Sequence, residues 1–514
     1  MGRISPTLTA ESPRTPTARI PRTEARAGMA MSLATFAMAA ASAAQAVLYL
    51  SLFGATEQTD GFFVAFAVYT TFGVFSQSLR LTSVPLLIEP TARLTVREFA
   101  AGLGLVAVPV LLLTEPLAGR FASVIAPGLG SSGRSVTESA LMILGPAIVL
   151  QLWAAGAATV LAVRGNFSAV ATSYIAGAAA GLIVFLLLME TAGELTLGWS
   201  MLAMAVVTAS SMGLGVRASG GLGDSREPLR VRPLLGKTGL LLGRTLIYLA
   251  LNLLFVVTLA YASRSVTGDT TVLSYAYLFA SYLVAGTGMA LGMSRIPDMT
   301  RIARADRRAV LDDTVLPGFR YAMLLAAPAL AGLVAAGALL VHDLFPTSLD
   351  ADGVSTLRVF AALLAVWTFP ALVVSLLLPA LFAFGRATAV NLLALPLVAL
   401  HLAATAGGSA LFGVNGAVAA LAIAPAAFAI ALIVLAAGRD SAGLVRRIGM
   451  DALRFSLLAA ASYGLAAILG ESIGGLGGAL VTGALGSVLY VAGMPLVAPR
   501  QVTVLLGALR PTGT

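Results

Sequence analysis

Apolar runs of 19 or more residues recur along almost the whole sequence, and this repetition constrains the fold more than any other feature. A helix rising 1.5 Å per residue needs about 20 residues to cross about 30 Å of bilayer hydrocarbon. Charged residues make up only 11% of the 514-residue chain, whereas a soluble protein has about 25%. No polar stretch is long enough to form a soluble domain. The sequence therefore predicts an all-α polytopic membrane protein.

Fourteen transmembrane spans are predicted, and they divide the chain into six regions. The spans cover residues 28–53, 61–88, 98–118, 137–163, 167–189, 194–216, 238–263, 270–294, 317–341, 353–383, 386–406, 410–437, 452–470 and 474–497. The regions are a disordered basic tail (1–27), an N-terminal six-helix bundle (28–216), a linker (217–237), a C-terminal six-helix bundle (238–437), two extra helices (438–497) and a C-terminal tail (498–514).

The positions of lysine and arginine predict the orientation of these spans. With the spans crossing alternately, 26 of the 32 basic residues fall on the side of the N-terminus, and only Arg120, Arg134 and Arg264 fall on the other. Basic loops remain in the cytoplasm, so we expect both termini to be cytoplasmic and the protein to lie in the plasma membrane. The same asymmetry accounts for the net charge of +9 without a nucleic-acid partner.

A faint internal repeat relates the two six-span regions. The matching segments are 59–85 with 271–297, at an offset of 212, and 161–170 with 381–390, at an offset of 220. Thr59 matches Thr271 in the first pair, and Pro85 matches Pro297. Because six is an even number of crossings, the two bundles are predicted to be parallel repeats related by an axis along the membrane normal.

The sequence lacks the usual signs of enzymatic or metal chemistry. The chain has no cysteine and only two histidines, His342 and His401, for which structural roles are expected. We predict neither an enzyme nor a bound metal or cofactor. All 23 aspartates and glutamates fall in tails, in loops or near span ends. Cation-coupled exporters place a carboxylate within the membrane, so this distribution argues against that class.

Three arginines, Arg80, Arg244 and Arg358, lie well within the predicted spans, and the first two form the centre of the candidate site. Arg80 lies in the second span and Arg244 in the seventh, so each six-span region contributes one. An arginine inside the membrane costs about 2.5–3.5 kcal/mol and usually faces a wet cavity or a partner. If both face a cleft between the bundles, they suit an anionic substrate such as a phosphate or diphosphate. Snorkelling to the cytoplasmic headgroups is the alternative interpretation.

Four further polar residues near these arginines are candidates for binding a sugar-bearing headgroup. Gln77 lies one turn from Arg80, Gln45 is in the first span, and Tyr248 and Asn252 share the seventh span with Arg244. Hydrogen bonds between helices are the alternative role for each of them.

Three segments carry a resemblance to a known family. They are "GATEQTDGFFVAFAV" (54–68), "VLSYAYLFASYLVAGTGMALGMSRIPDMTR" (272–301) and "LLLPALFAFGRATAVN" (376–391). They resemble the MurJ/MviN family of lipid II flippases, within the wider group of multidrug, oligosaccharidyl-lipid and polysaccharide exporters. The fourteen spans in a six, six and two arrangement also match that family. The family's arginines in the first span are missing here, and residues 67–70 replace its "RIPN" motif.

The resemblance implies a flippase that moves an anionic lipid-linked saccharide across the membrane by alternating access. It also implies contact with membrane lipids, a groove for the lipid tail at the extra pair of spans, and an association with cell-wall or polysaccharide synthesis proteins. The departures leave open which polyprenyl-linked glycan is moved. Two other classes also remain: a small-molecule exporter of the same fold, and a membrane scaffold without transport.

Overall fold

The computed structural model describes nearly all of the chain between residues 41 and 499. The described residues are 41–42, 44–88, 95–221, 231–289, 291–292, 299, 306–344, 351–497 and 499. They form helices joined by short turns, with no β-strand among them. The predicted all-α fold is therefore confirmed for this part of the chain.

Fifteen helices of six residues or more are present in the described ranges. They are α1 (Ala44–Phe53), α2 (Glu57–Ile88), α3 (Val96–Thr114), α4 (Ala118–Ile125), α5 (Ser131–Val163), α6 (Phe167–Leu188), α7 (Thr196–Ala218), α8 (Val231–Ala262), α9 (Asp269–Val284), α10 (Leu316–Leu344), α11 (Ala351–Ala383), α12 (Ala387–Leu392), α13 (Ala394–Ala437), α14 (Ser441–Ile473) and α15 (Gly475–Val497). A π-helical turn, Ala285–Met289, extends α9, and another, Leu311–Val315, precedes α10.

Eleven helical stretches among the described residues are long and apolar enough to cross a membrane. One of them, Ala387–Ile473, has 87 residues and as a single helix would be about 130 Å long. The chain breaks twice within it, at Phe412 and Gly413 and again at the 3₁₀ turn Gly438–Asp440. This stretch therefore holds three spans. With α1 as the described part of the first span, the count agrees with the predicted fourteen.

The break inside α13 corrects one predicted boundary. The sequence places the turn at residues 407–409, but the non-helical backbone lies at Phe412 and Gly413, where Gly413 has a φ of +59°. A positive φ is readily adopted only by glycine. On either side, the backbones of Gly408 and Gly416 touch, so a Cβ on either glycine would overlap the other residue's carbonyl. The two arms of α13 therefore form a tight helical hairpin.

Helix α2 occupies the centre of the bundle. Its first half is buried on all sides, including Phe62, Phe63, Phe66 and Tyr69. It packs against α5 on one side and against α8 and α9 on the other. A helix that is apolar around its whole circumference belongs in the interior, which explains why α2 shows almost no amphipathic character. This position places the start of α2 against the start of α9.

The last two helices attach to α10 by packing and by ion pairs. Arg320 of α10 contacts Asp451 of α14 at 2.7 Å, and Arg447 of α14 contacts Asp312 at 2.8 Å. Both pairs lie near the ends of these helices. Glycines allow α14 and α15 to touch closely, since a Cβ at Gly470 would overlap Thr482. The small residues of this hairpin thus allow close packing of its two helices.

The alternation of the helices gives a topology that can be tested directly. We expect a reporter domain inserted at residues 217–237 to be cytoplasmic and one inserted at 343–352 to be external, because basic loops stay in the cytoplasm. Fusions of a fluorescent protein and of a periplasmic enzyme at each site would measure this. A C-terminal fusion is the control and should behave like the insertion at 217–237. The reverse pattern would overturn the predicted orientation.

Candidate functional site

The first turn of α2 meets the first turn of α9 through the carboxylate of Asp60. Its Oδ2 atom accepts a hydrogen bond from the backbone N–H of Gly268 at 2.7 Å. Its Oδ1 atom accepts two more, from the backbone N–H of Thr271 at 2.8 Å and from the Thr271 hydroxyl at 2.6 Å. The side chain of Asp60 is 1% exposed. It lies where the free N–H groups of a helix N-terminus favour a negative charge.

Two neighbouring residues complete this contact. Gly268 has a φ of +96°, and a Cβ there would lie 3.1 Å from that of Ala55, so both backbone and space favour glycine. The hydroxyl oxygens of Thr271 and Thr59 lie 3.1 Å apart. Thr59 and Thr271 are the pair matched by the 212-residue offset. We call this end of the molecule the Asp60 end.

Other contacts at the Asp60 end join the same elements. The backbone N–H of Gly128 donates to the Ser263 hydroxyl at 3.3 Å, which connects the turn before α5 to the end of α8. The carboxylate of Glu57 accepts a hydrogen bond from the backbone N–H of Gly133 at 3.2 Å. The Asp60 end is therefore closed by contacts from α2, α5, α8 and α9.

Aromatic side chains fill the space directly beneath Asp60. The rings of Phe63 and Tyr275 pack edge to face with their centroids 5.1 Å apart. The hydroxyl of Tyr275 donates to the backbone oxygen of Ala46 at 2.8 Å, and that of Tyr49 donates to the backbone oxygen of Glu194 at 2.9 Å. Further rings pack around them, from Phe53, Phe62, Phe66 and Tyr69. These rings form a thick apolar layer at the Asp60 end.

An ion pair joins α3 to α8 at the opposite end of the bundle, which we call the Lys237 end. The Lys237 ammonium lies 2.6 Å from Oε1 of Glu98 and 2.7 Å from Oε2. The same Glu98 side chain accepts a hydrogen bond from the backbone N–H of Thr95 at 2.9 Å and so forms a capping box at the start of α3. The capping box fixes the rotamer of Glu98 toward Lys237.

The structure places three of the six candidate residues in contacts between or along helices. Gln45 is buried and donates its amide N–H to the Ser200 hydroxyl of α7 at 2.9 Å. Asn252 donates to the backbone oxygen of Tyr248 on its own helix at 2.9 Å. The ring of Tyr248 packs against Phe382 of α11. Of these three residues, only Gln45 makes the hydrogen bond between helices that was the alternative role.

The other three candidate side chains lie outside the described part of the structure. Arg80 and Gln77 are positioned on α2 and Arg244 on α8, but only the helix backbone is described at these positions. Arg80 lies eight residues before the end of α2, toward the Lys237 end, and Arg244 lies near the middle of α8. The helices that carry Arg80 and Arg244 pack against each other.

Sequence reasoning missed the residues that close the two ends. Asp60 falls at the border of a predicted span, and nothing near it in the sequence indicates that its partners lie 208 and 211 residues away. The match of Thr59 with Thr271 was the one available signal, since residues near a two-fold axis contact their equivalents. For Glu98, the signal was the capping box pattern that begins with Thr95.

His401 has the structural role that was expected. It is fully buried, and its Nε2 atom lies 2.8 Å from the backbone oxygen of Leu254 and 3.1 Å from the Thr258 hydroxyl, both on α8. His342 has a side chain outside the described part. Among the described residues, no group of three or more histidines and carboxylates is arranged to hold a metal ion.

Among the apolar cavities on the surface of the described structure, two lie between groups of helices. The larger has a volume of about 510 Å³ and lies between α10, α11 and α14. The smaller has about 300 Å³ and lies between α3, α5 and α7, with Arg217 at its rim. Neither is lined by Gln45, Tyr248 or Asn252.

Comparison with family models and with curated protein sequences finds no match. Solved structures do match. A structure described as lipid II flippase MurJ in an inward closed conformation superposes with a TM-score of 0.71 and 13% identity, covering 92% of this chain and 99% of that one. The chain shares the fold of this structure.

Transporters of the multidrug MATE family share this fold with lower similarity. An inward-facing MATE transporter matches with a TM-score of 0.58 and 14% identity, over 78% of this chain and 94% of that one. A eukaryotic MATE transporter matches with a TM-score of 0.56 and 14% identity, over 84% of this chain and all of that one. At these identities the likeness is one of fold.

Proposed function

We propose that the chain is a flippase that moves a polyprenyl-diphosphate-linked glycan from the cytoplasmic to the outer leaflet of the plasma membrane. The likeness to the MurJ structure supports this, because it covers 92% of this chain and has a TM-score of 0.71. In this proposal, two six-helix bundles (28–216 and 238–437) move against each other, both termini are cytoplasmic, and cell-wall or polysaccharide synthesis proteins supply the substrate.

The observation that carries the proposal is a pair of polar contacts at opposite ends of the bundle. Asp60 holds α2 to α9 at one end, and the ion pair between Glu98 and Lys237 holds α3 to α8 at the other. The Asp60 contact joins the proposed first bundle to the second, and the Glu98 contact joins the first bundle to Lys237, the last residue of the proposed linker. Alternating access requires contacts that break at one end while the other end stays closed.

The proposed substrate follows from the charges on α2 and α8. Arg80 and Arg244 lie on these adjacent helices, one from each bundle. Two guanidinium groups in a cleft of low dielectric would bind a diphosphate through bidentate, charge-assisted hydrogen bonds. A lipid diphosphate would thus be held at the boundary between the parts that move.

The small-molecule exporter remains the second candidate, because MATE transporters share the fold. A cation-coupled exporter needs a carboxylate that is free to bind the ion. Asp60 is the buried carboxylate of α2, and its two oxygens already accept three hydrogen bonds from the start of α9. Because its oxygens are occupied by these hydrogen bonds, Asp60 is better suited to hold this end of the protein closed than to bind a coupling ion. A scaffold without transport would make Arg80 and Arg244 dispensable.

A binding measurement separates these candidates. We expect the purified protein in nanodiscs to bind a polyprenyl diphosphate disaccharide at least about 10-fold tighter than the corresponding monophosphate, since each lost charge-assisted hydrogen bond costs about 1.5–3 kcal/mol. Lipophilic cationic dyes serve as the exporter control and should not compete. Tighter binding of the dyes than of the diphosphate would favour the exporter and contradict the flippase.

A further inference from the structure

The larger cavity is a groove on the outer surface of the protein. Its walls come from α10, α11 and α14, and most of its lining consists of small side chains, among them Ala331, Ala362 and Ala460. At Gly464 a Cβ would meet no other atom within 4 Å, so the groove is open at that point. Val366 and Ile468 on its rim are more than half exposed. The groove therefore faces the surrounding lipid.

The groove is long enough to span one leaflet of a bilayer. On α14 its lining runs from Ser456 to Glu471, which corresponds to about 22 Å along a helix. One leaflet contributes about 15 Å of hydrocarbon, so the groove runs from the external interface past the bilayer centre. Because the helices alternate in direction, Glu471 lies toward the Asp60 end, which is the external end in the predicted topology. The groove is thus long enough for one acyl chain and its headgroup.

A positive and a negative side chain both line this end of the groove. Arg358 and Glu471 both line it, and neither forms an ion pair within the part of the chain that the structure describes. An arginine on a wall that faces lipid needs an anionic partner, and its planar fork suits a phosphate. A carboxylate close by would repel a purely anionic headgroup but attract an ammonium group. The pair therefore suits a zwitterionic headgroup.

We propose that this groove binds one phospholipid that carries a phosphate and a primary ammonium group, as phosphatidylethanolamine does. The phosphate contacts Arg358, the ammonium contacts Glu471, and one acyl chain lies along the small side chains of α10, α11 and α14. The bound lipid fills the gap between the second bundle and the extra helices. The site is separate from the proposed diphosphate site at Arg80 and Arg244, and its occupancy does not depend on transport.

Native mass spectrometry of the full-length protein in detergent tests this site. Phosphatidylethanolamine and phosphatidylglycerol with identical acyl chains are titrated in parallel. We expect phosphatidylethanolamine to bind about 10-fold more tightly, because only this lipid uses both charges. Arg358→Gln should weaken the binding of both lipids, and Glu471→Gln should remove the preference between them.

A variant that blocks the groove with a larger side chain tests the lipid site independently. Gly464→Leu places a side chain in the open groove and should abolish the tight binding of phosphatidylethanolamine. Gly449→Leu is the matched control, because it lies on the same helix, has equally open space at its Cβ and does not line the groove. Equal or tighter binding of phosphatidylglycerol by the unaltered protein would overturn the proposal. Retention of phosphatidylethanolamine by Gly464→Leu would overturn it too.

Discussion

Replacement of Asp60 by alanine is expected to open the Asp60 end of the protein. The change removes the acceptor of three hydrogen bonds that cross from α2 to α9. Hydrogen bonds to a charged group contribute about 1.5–3 kcal/mol each, so the loss of even one shifts the ratio of open to closed molecules by about 10-fold or more. Asp60→Asn should also open this end, since its amide N–H₂ group would face the backbone N–H of Gly268.

The chain contains no cysteine, so a single introduced cysteine can report this opening. Thr270 is fully buried beside the contact, and Thr270→Cys is a small change. In nanodiscs, a polar maleimide should label this cysteine at least about 10-fold faster when Asp60 is replaced by alanine, in proportion to the open population. Val266 is exposed, so a cysteine at this position is the control. It should react equally fast whether residue 60 is aspartate or alanine.

Glu57→Gln is the matched control for Asp60→Ala. Glu57 is also a carboxylate in the first turn of α2, but its hydrogen bond goes to Gly133 at the start of α5, within the same proposed bundle. We expect this variant to leave labelling of Thr270→Cys unchanged. Equal labelling rates with Asp60 and with alanine at that position would show that the carboxylate does not hold this end closed.

Much of the fold could be predicted from the sequence, because lipid restricts a spanning chain to helices of known length. The long apolar runs gave the spans, and Gly385, with a φ of +73°, forms the predicted turn after α11. The turn at Phe412 and Gly413 was misplaced because several glycines lie close together in an apolar run. Only the three-dimensional packing decides which of them takes the positive φ. The short helix α4 lies in a predicted loop and was also missed.

Less of the candidate site could be predicted, because its contacts join residues far apart in sequence. The polar residues Gln45 and Asn252 were recognised, but in the structure they hydrogen-bond to Ser200 and to the backbone of Tyr248. A sequence shows that a polar residue lies in a span, but it does not show which neighbour forms a hydrogen bond with its side chain. Asp60 was overlooked for the opposite reason, since its position at a span border suggested exposure to water.

The loss of both Arg80 and Arg244 is expected to have the largest effect on transport. If each guanidinium binds the diphosphate, removing one should weaken substrate binding by roughly 10- to 150-fold, from about 1.5–3 kcal/mol per charge-assisted hydrogen bond. Lysine at either position should retain part of the activity, because it keeps the charge but loses the planar fork. The double alanine variant should reach normal membrane abundance, since removing an arginine from a span does not hinder insertion.

The most direct test is a flipping measurement in proteoliposomes with a fluorescent polyprenyl diphosphate glycan. Movement between leaflets is read from the fraction of probe that an added impermeant quencher reaches. Arg439→Ala is the control variant, because Arg439 is exposed and lies far from α2 and α8 in the sequence. We expect the unaltered protein and this control to flip the probe at similar rates. The Arg80→Ala, Arg244→Ala variant, reconstituted in equal amount, should be inactive. Full activity of this double variant, or no flipping by the unaltered protein, would contradict the proposed function.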